Sequence, residues 1–129
     1  MGSGRCLMSN ILKSGRAEIS LQLGTIGDGL IYTHIPQRPN PPCFIVSPGS
    51  PYIEEGETFT EFRCRFDILI LAGHAQNEGE TENLDDLIIK SLDALETWDI
   101  EGVEQPSQFE INGSYFLGTK LTISQDKNL

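Results

Sequence analysis

The part of the sequence that most limits the possible folds is the stretch EFRCRFDILILAG, from Glu61 to Gly73. Apolar residues alternate with charged ones in its first half, and the run Ile68 to Ala72 is wholly apolar. Alternation predicts a strand with one exposed face, and a continuous apolar run predicts burial on both faces. We therefore expect a long strand that starts half exposed and becomes fully buried. We expect it to pair with Tyr52 to Glu54 in an extended hairpin whose tip is Glu54 to Thr58.

Two further elements are indicated near the amino terminus. Apolar residues at helical spacing predict a first helix, with Ser9 as its N-cap and the glycine-rich stretch Leu23 to Gly29 as its end. The alternating residues Leu30 to Ile35 then predict a strand.

Proline dominates the next part of the chain. Four prolines in the seven residues Pro36 to Pro42 favour a rigid connector, because proline disrupts both helices and central strands. Cys43 to Val46 is a short apolar strand, and Pro48, Gly49 and Pro51 then predict a stiff turn that projects from the sheet.

The clearest helix follows the polar stretch His74 to Asn83. Its apolar positions share one helical face, namely Leu84, Leu87, Ile88, Ser91, Leu92 and Leu95. Asp99 to Glu104 predicts a short strand. The pair Asn112-Gly113 predicts a type I′ turn in a hairpin that ends near Ser124.

The order of these elements predicts the α+β class. Strands come mostly as hairpins and helices come singly, which favours a mixed, mainly antiparallel sheet with a helix packed on one face. A length of 129 residues suits a single domain. We expect this domain to span residues 9–124, between a flexible leader at 1–8 and a tail at 125–129.

Charge argues against one large class of function. The formal net charge is −10, and a surface this acidic should not grip nucleic-acid phosphates, since such affinity comes mainly from Lys and Arg. The charge is also uneven: residues 1–42 carry four Lys/Arg against two Asp/Glu, a net +2, and residues 43–129 carry five against seventeen, a net −12. Opposite charge on different parts of a subunit suits head-to-tail contact between copies.

Few groups in the sequence are suited to catalysis. A Cys43–His34 or a Cys64–His74 pair stays open, although cysteines in apolar strands are more often core residues. The three cysteines have no C-x-x-C spacing, which indicates a reduced, intracellular protein. No apolar run approaches the roughly 20 residues of a membrane helix. We expect no enzyme activity, no catalytic residues, no cofactor and no metal.

Two polar loops, Ser47 to Thr60 and His74 to Asn83, flank the long strand, and we expect both to project from one edge of the sheet. Loops on a rigid scaffold often carry function, and without reactive groups that function is contact. Their acids could instead hold a divalent cation, but the full calcium-loop spacing is absent. The residues expected at contacts between subunits or rings are Pro48, Gly49, Tyr52, Glu54, Glu55, Glu57, Glu78, Glu80 and Glu82. Substitutions such as Tyr52→Ala and Pro48→Gly are expected to weaken assembly and to leave the fold intact.

The stretch IYTHIPQRPNPPCFIVSPGSPYIE, from Ile31 to Glu54, resembles the front half of tail terminator proteins of long-tailed bacteriophages. In that family a Pro-Pro pair enters a short apolar strand, and a Pro-Gly-x-Tyr turn follows. This chain has one extra residue there, because Ser50 and Pro51 separate Gly49 from Tyr52. Further on, the central strand of that family is similar to FRCRFDILILAG here. The helix that follows in the family begins with Leu-Asp, and it is similar to ENLDDLIIKSLDAL, with Leu84-Asp85 at that position.

This resemblance implies a non-catalytic α+β subunit of a ring of six copies in the virion, made in the host cytoplasm. The ring would cap the tail tube, stop its polymerisation, and join it to the connector of the head. DNA would pass through without specific binding, and an acidic bore would help it to slide. Two alternatives stay open: another ring protein of the phage neck, such as a head-completion protein, and an acidic inhibitor that mimics DNA.

Overall fold

The computed structural model describes residues 3–27, 29–56, 61–74 and 78–128. Two helices and six strands are formed by these residues. In chain order they are α1 (Ser3–Gly24), β1 (Leu30–Tyr32), β2 (Cys43–Glu55), β3 (Glu61–Gly73), α2 (Glu78–Ala94), β4 (Asp99–Val103), β5 (Ser107–Ile111) and β6 (Ser114–Asn128). The predicted α+β class is confirmed.

All six strands belong to one mixed sheet. The strand order is β1-β2-β3-β6-β4, and β5 also pairs with β6. β1 runs parallel to β2, whereas every other pairing is antiparallel. β4 pairs with residues 121–124 of β6 and β5 pairs with residues 114–118, so the two short strands follow one another along the same side of β6.

The central strand β3 covers Glu61–Gly73, as the sequence predicts. It pairs with β2 on one side and with β6 on the other. Residues 61–63 are partly buried and residues 70–73 are fully buried, which confirms the predicted change from a half-exposed to a covered strand. The predicted hairpin with β2 is also present, with Ile53 opposite Cys64 and Glu55 opposite Phe62.

Both helices contribute to the main hydrophobic core on one face of the sheet, called here the helix face. The helical residues buried in it are Ile19 and Leu23 of α1 and Leu84, Leu87 and Leu95 of α2. Trp98 is a core residue too, with its ring edge-on to Phe66 at a centroid distance of 5.8 Å. Gly15 occupies the middle of α1 because a Cβ there would lie 3.3 Å from the Phe66 ring.

The opposite side of the sheet, called here the outer face, is apolar only at its Gly73 end. A second buried cluster there consists of Cys43, Ile45, Leu71 and Phe116. The proline-rich connector packs at this end, since Pro39 is buried and Asn112 Nδ2 donates a hydrogen bond of 2.9 Å to the Gln37 carbonyl. The predicted Asn-Gly turn is confirmed, with φ of 48° at Asn112 and 85° at Gly113.

Both ends of the domain differ from expectation. α1 begins at Ser3, inside the segment expected to be a leader, so Ser9 lies within the helix and is not its N-cap. Residues 3–8 contain no proline to stop the helix. β6 continues through Asn128, within the segment expected to be a tail, because Glu61 of β3 provides a pairing partner for that residue.

Three internal boundaries differ as well. β1 ends at Tyr32 and does not reach Ile35, since β2 pairs only with Leu30–Tyr32. β2 continues to Glu55 and does not stop at Val46. α2 begins at Glu78, inside the expected polar loop, where carboxylates favour a helix start because they complement the helix dipole. Within the described part of the chain, neither helix is long and apolar enough to cross a membrane.

Candidate interface

Five of the residues expected at contacts lie on β2: Pro48, Gly49, Tyr52, Glu54 and Glu55. The strand continues through them with a bulge between Pro48 and Ile53, so the expected projecting turn is wrong. Proline is tolerated because this part of β2 lies at the border of the sheet, where no described strand pairs with its outer side. Glu57 lies outside the described residues.

Tyr52 packs against the molecule's own core. Its ring lies edge-on to Phe66 at a centroid distance of 5.6 Å, and its hydroxyl accepts a hydrogen bond of 2.8 Å from Arg16 Nη2 of α1. The bulge thereby ties α1 to β2. These contacts predict that removal of the Tyr52 ring lowers stability, contrary to the expectation from the sequence.

Gly49 is required by the close approach of the bulge to β3. A Cβ at this position would lie 2.6 Å from Arg65 Cγ and 3.0 Å from the Arg65 carbonyl oxygen. The same approach brings the Pro51 carbonyl within 3.0 Å of Arg65 Nη1, which donates a hydrogen bond to it. The bulge therefore positions Arg65, and only glycine leaves room for it.

Arg65 joins three strands on the outer face. Its Nη2 lies 2.6 Å from Glu54 Oε1 on β2, and its Nε lies 2.9 and 2.8 Å from the two carboxylate oxygens of Glu101 on β4. Only 11% of the Arg65 side chain is exposed, whereas the Glu54 and Glu101 side chains are 41% and 32% exposed, so the guanidinium is shielded and its partners are partly in water. Burial of a charge is tolerated here because each guanidinium nitrogen has a partner.

Arg63 forms a second pair of contacts beside the first. Its Nη2 lies 2.6 Å from Asp99 on β4, and its Nη1 lies 2.9 Å from Asp126 on β6. Two arginines and four carboxylates thus form one network across the outer face, consisting of Arg63, Arg65, Glu54, Asp99, Glu101 and Asp126. This network covers the polar end of the outer face. The second apolar cluster covers the other end, near Gly73.

The network shifts the pKa of three of its members, Glu101, Arg65 and Arg63. Burial raises the pKa of Glu101, but the nearby Ser124 hydroxyl, the hydrogen bonds from Arg65 and the charges of both arginines outweigh burial, so the pKa lies below its usual value. The hydrogen bond with Glu54 is the largest cause of a raised pKa at Arg65, and that with Asp99 is the largest at Arg63. All of these groups are therefore held in their charged forms.

The remaining expected contact residues, Glu78, Glu80 and Glu82, lie at the start of α2 and not in a loop. The expectation that they project from the same edge as the β2 residues is wrong. Glu54 and Glu55 lie beside the first residues of β3, whereas α2 begins after its last residue. The 13 residues of β3 separate the two groups by about 40 Å at strand geometry.

Glu80 lies in a cavity of about 620 Å³ between α2 and the end of β3. Its carboxylate packs over Gly73, where a Cβ would lie 2.0 Å from Oε2. His74, Asp86 and Lys90 also line this cavity. Glu82 is fully on the surface.

One unpaired border of the sheet is formed by β4 and β5, called here the β4–β5 edge. Among the described strands these two pair only with β6, so the backbone groups on their other side have no strand partner. Gln105 and Pro106 interrupt the edge, and a hydrogen bond of 2.9 Å from the Glu104 amide to the Lys120 carbonyl keeps it aligned with β6. Every residue of β4 is exposed.

Apolar side chains lie on the helix face of this edge. Ile100 and Val103 are 40% and 37% exposed, and they stand opposite the core residues Ile123 and Leu121 of β6. An unpaired strand that carries exposed apolar side chains is a ready surface for pairing with another chain. The sequence predicted the short strand but did not single out Ile100 and Val103. The glycine between them, Gly102, is the signal that could have indicated a bulge.

The opposite border of the sheet is partly blocked. β1 contributes only three residues, and Leu30 within it and Ile35 just after it are 50% and 60% exposed. Beyond β1, the outer side of β2 carries Pro48 and Pro51, which lack the N–H that a strand partner would need. The two borders therefore differ in sequence and chemistry.

The histidines and cysteines occupy separate environments. His34 and His74 are exposed, whereas Cys43 and Cys64 are buried and free. Burial raises the pKa of the Cys43 thiol to about 11 and also raises that of Cys64. Both thiols thus stay protonated, which removes the nucleophilic form. Within the described ranges, no group of three or more His, Cys, Asp or Glu side chains is arranged to hold a metal ion.

Comparison with known proteins adds no relative: no family model matches the chain, and no curated protein is significantly similar to it.

Proposed function

We propose that this protein is a structural subunit that assembles through its sheet borders into a closed ring in the neck or tail of a bacteriophage, as a tail terminator does. The ring would contain six copies, cap the tail tube, and join it to the connector of the head. The observation that carries the proposal is that one sheet ends in two different unpaired borders, each with exposed apolar side chains.

Two unlike borders suit a ring better than a two-fold dimer. In a dimer the same patch meets itself, whereas a ring needs two different patches that meet head to tail. Here the β4–β5 edge carries Ile100 and Val103, and the border at β1 carries Leu30 and Ile35. Pairing of one border with the other on the next copy would bury all four side chains and satisfy the free backbone groups.

The sequence resemblance adds the biological setting to this geometry. It covers the proline-rich connector, the strand that follows, the central strand and the start of α2. The net charge of −10 is compatible with a bore through which DNA passes without binding, because the phosphates would be repelled. The partners proposed are other copies of the chain, the tail tube protein and a head-completion or connector protein.

The proposal is tested by the native mass of the purified chain across concentration, with negative-stain images of the same samples. We expect a species of about six subunits with a central hole. A chain that stays monomeric both alone and in the presence of purified tail tubes would contradict the proposal. In that case binding to a nucleic-acid-binding protein would test the DNA-mimic alternative.

A matched pair of variants tests the role of the β4–β5 edge. The double variant Ile100→Lys/Val103→Lys places charges on the edge, as natural proteins do to prevent edge pairing, and should abolish assembly. Its free energy of unfolding should fall by about 2 kcal/mol and leave the chain folded, because both side chains are only partly buried. Leu21→Lys on α1 is the control, since Leu21 is 75% exposed but lies on no sheet border. Equal assembly of both variants would rule out this edge as the contact.

A further inference from the structure

A second cavity, of about 650 Å³, lies at the Gly73 end of the outer face. The proline-rich connector contributes Arg38 to its lining, the end of β3 contributes His74, and the β5–β6 hairpin contributes Asn112, Ser114 and Phe116. Three separate segments of the chain thus converge on one concave, polar space.

The charge of this cavity is opposite to that of the whole molecule. The chain has 19 Asp and Glu residues, and none of those that the structure describes lines this cavity. Arg38 forms no ion pair with any residue that the structure describes, whereas Arg63 and Arg65 each contact two carboxylates. The Arg38 guanidinium therefore keeps its donors for a ligand.

The groups around Arg38 are held in place by contacts outside the cavity. The His74 ring stacks on Phe116 at a centroid distance of 4.7 Å, and its Nδ1 lies 3.3 Å from the Tyr115 carbonyl oxygen. A carbonyl oxygen only accepts hydrogen bonds, so Nδ1 carries the proton, and the His74 ring shapes the wall of the cavity without serving as one of its donors. The hydrogen bond from Asn112 to the Gln37 carbonyl fixes the connector residue next to Arg38.

We propose that this cavity binds a single oxyanion, a phosphate or carboxylate group, through the Arg38 guanidinium and the Ser114 hydroxyl. A planar guanidinium binds both kinds of oxyanion through two parallel hydrogen bonds. The neighbouring cavity, which shares His74, carries Glu80 and Asp86 against Lys90, so an anion is favoured on the Arg38 side. None of the residues named here lies in β1, β4 or β5, and the proposed binding does not depend on assembly.

The test is a titration followed by two-dimensional NMR of the ¹⁵N-labelled chain, at constant ionic strength, with inorganic phosphate in one arm and acetate in the other. We expect saturable shifts at residues 37, 38, 74 and 112–116, with a dissociation constant on the order of millimolar for the preferred anion. Stronger binding of phosphate would identify a phosphate site, and stronger binding of acetate would identify a carboxylate site. No saturable shift in either arm would overturn the proposal.

Two variants decide whether Arg38 is the binding group. Arg38→Gln should weaken binding of the preferred anion by roughly tenfold or more, because it removes the one guanidinium among the described residues that line the cavity. Its thermal unfolding should be unchanged, since the side chain is exposed and makes no ion pair within the described ranges. Lys13→Gln removes an exposed charge from α1 and should bind as the wild type does. Equal weakening in both variants would show a general charge effect and overturn the site.

Discussion

At the scale of single residues, Arg65 makes the most contacts that matter for stability. It is largely buried on the outer face, and its guanidinium contacts Glu54, Glu101 and the Pro51 carbonyl. Removal of one member of such a network leaves the opposite charges of the other members unpaired. The resulting loss in free energy of unfolding exceeds the net contribution of the intact network.

The first prediction concerns this network. Arg65→Met should lower the free energy of unfolding by about 2 kcal/mol, because Glu54 and Glu101 would lose their partner, although their partial exposure lets water replace some of the lost contact. Urea denaturation measures the change. Lys120→Met is the control, since Lys120 lies 3.7 Å from Glu104 in a pair that is 37% and 57% exposed, and its loss should cost less than about 1 kcal/mol. Similar effects of the two substitutions would mean that Arg65 is no more important than a surface charge.

A second prediction concerns pH. The pKa of Glu101 is lower in the folded chain than its value of 4.5 without the network, so its ionised form stabilises the fold above that pH. This contribution is lost as the pH falls from there through the lowered pKa. The difference in unfolding free energy between wild type and Glu101→Gln should therefore be constant near neutral pH and shrink below pH 4.5. In an Arg65→Met background the shrinkage should be weaker, and an unchanged profile there would contradict the assigned cause.

The third prediction separates the two parts of Tyr52. Tyr52→Phe removes only the hydrogen bond from Arg16 and should cost about 1 kcal/mol. Tyr52→Ala also removes the ring from Phe66 and should cost about 3 kcal/mol. Thermal unfolding measures both. Tyr115→Ala, at a position that is 50% exposed, should stay within about 1 kcal/mol of wild type. A stable Tyr52→Ala variant that fails to assemble would restore the interface role expected from the sequence.

At the scale of elements, the bulges in β2 and β4 have different effects. The bulge in β2 brings Gly49 and Pro51 against Arg65. In β4, Asp99 and Glu101 lie two positions apart and both reach the arginines on the outer face. The bulge between Ile100 and Gly102 brings Ile100 and Val103, three positions apart, opposite Ile123 and Leu121. Without the extra residue, alternation would turn Val103 to the outer face.

The fourth prediction compares the glycines of these bulges. Gly49→Ala should lower the free energy of unfolding by about 2 kcal/mol, because its Cβ would overlap Arg65 Cγ and the β3 backbone. Gly102→Ala should be close to neutral, since a Cβ there meets no described atom within 4 Å. Chemical denaturation of both variants measures the difference. Equal costs would show that contact with Arg65 does not decide the effect.

At the scale of the whole molecule, two forces oppose each other in the proposed ring. Copies with a net charge of −10 repel one another, whereas apolar side chains at the sheet borders attract one another. If residues 1–42, with a net charge of +2, met the acidic remainder of a neighbour, attraction between charges would dominate instead.

The fifth prediction uses salt to distinguish these cases. Added salt screens charges over about 8–10 Å at physiological strength, so contact through apolar borders should strengthen as NaCl is raised. Sedimentation measured across salt concentrations reports the association constant. Weaker association at higher salt would show that contact between opposite charges holds the copies together, as the uneven charge of the sequence suggests. The Ile100→Lys/Val103→Lys variant should respond little in the apolar case, because it does not associate.

Elements whose structure depends on residues close together in the chain were predicted better than those that depend on distant residues. β3, α2 and the Asn112-Gly113 turn were predicted closely because their patterns follow from side-chain alternation, helical spacing and positive φ. The segment Pro48–Pro51 was predicted as a turn, since nothing in the sequence reveals that this stretch borders the sheet. Proline forbids a central strand but not an outer one, so the position in the sheet decides the outcome.

The sequence by itself determined the α+β class, the central strand and the acidic character of this protein. These depend on neighbours along the chain, where the spacing of apolar residues and the chemistry of glycine and proline act directly. Only the tertiary structure decided that Glu54 and Glu101 meet on one arginine, that Glu54 and Glu80 lie at opposite ends of β3, and that Arg38 and His74 share a cavity. Those relations join residues tens of positions apart, and strand order and register, which set such distances, are fixed by packing of the whole chain.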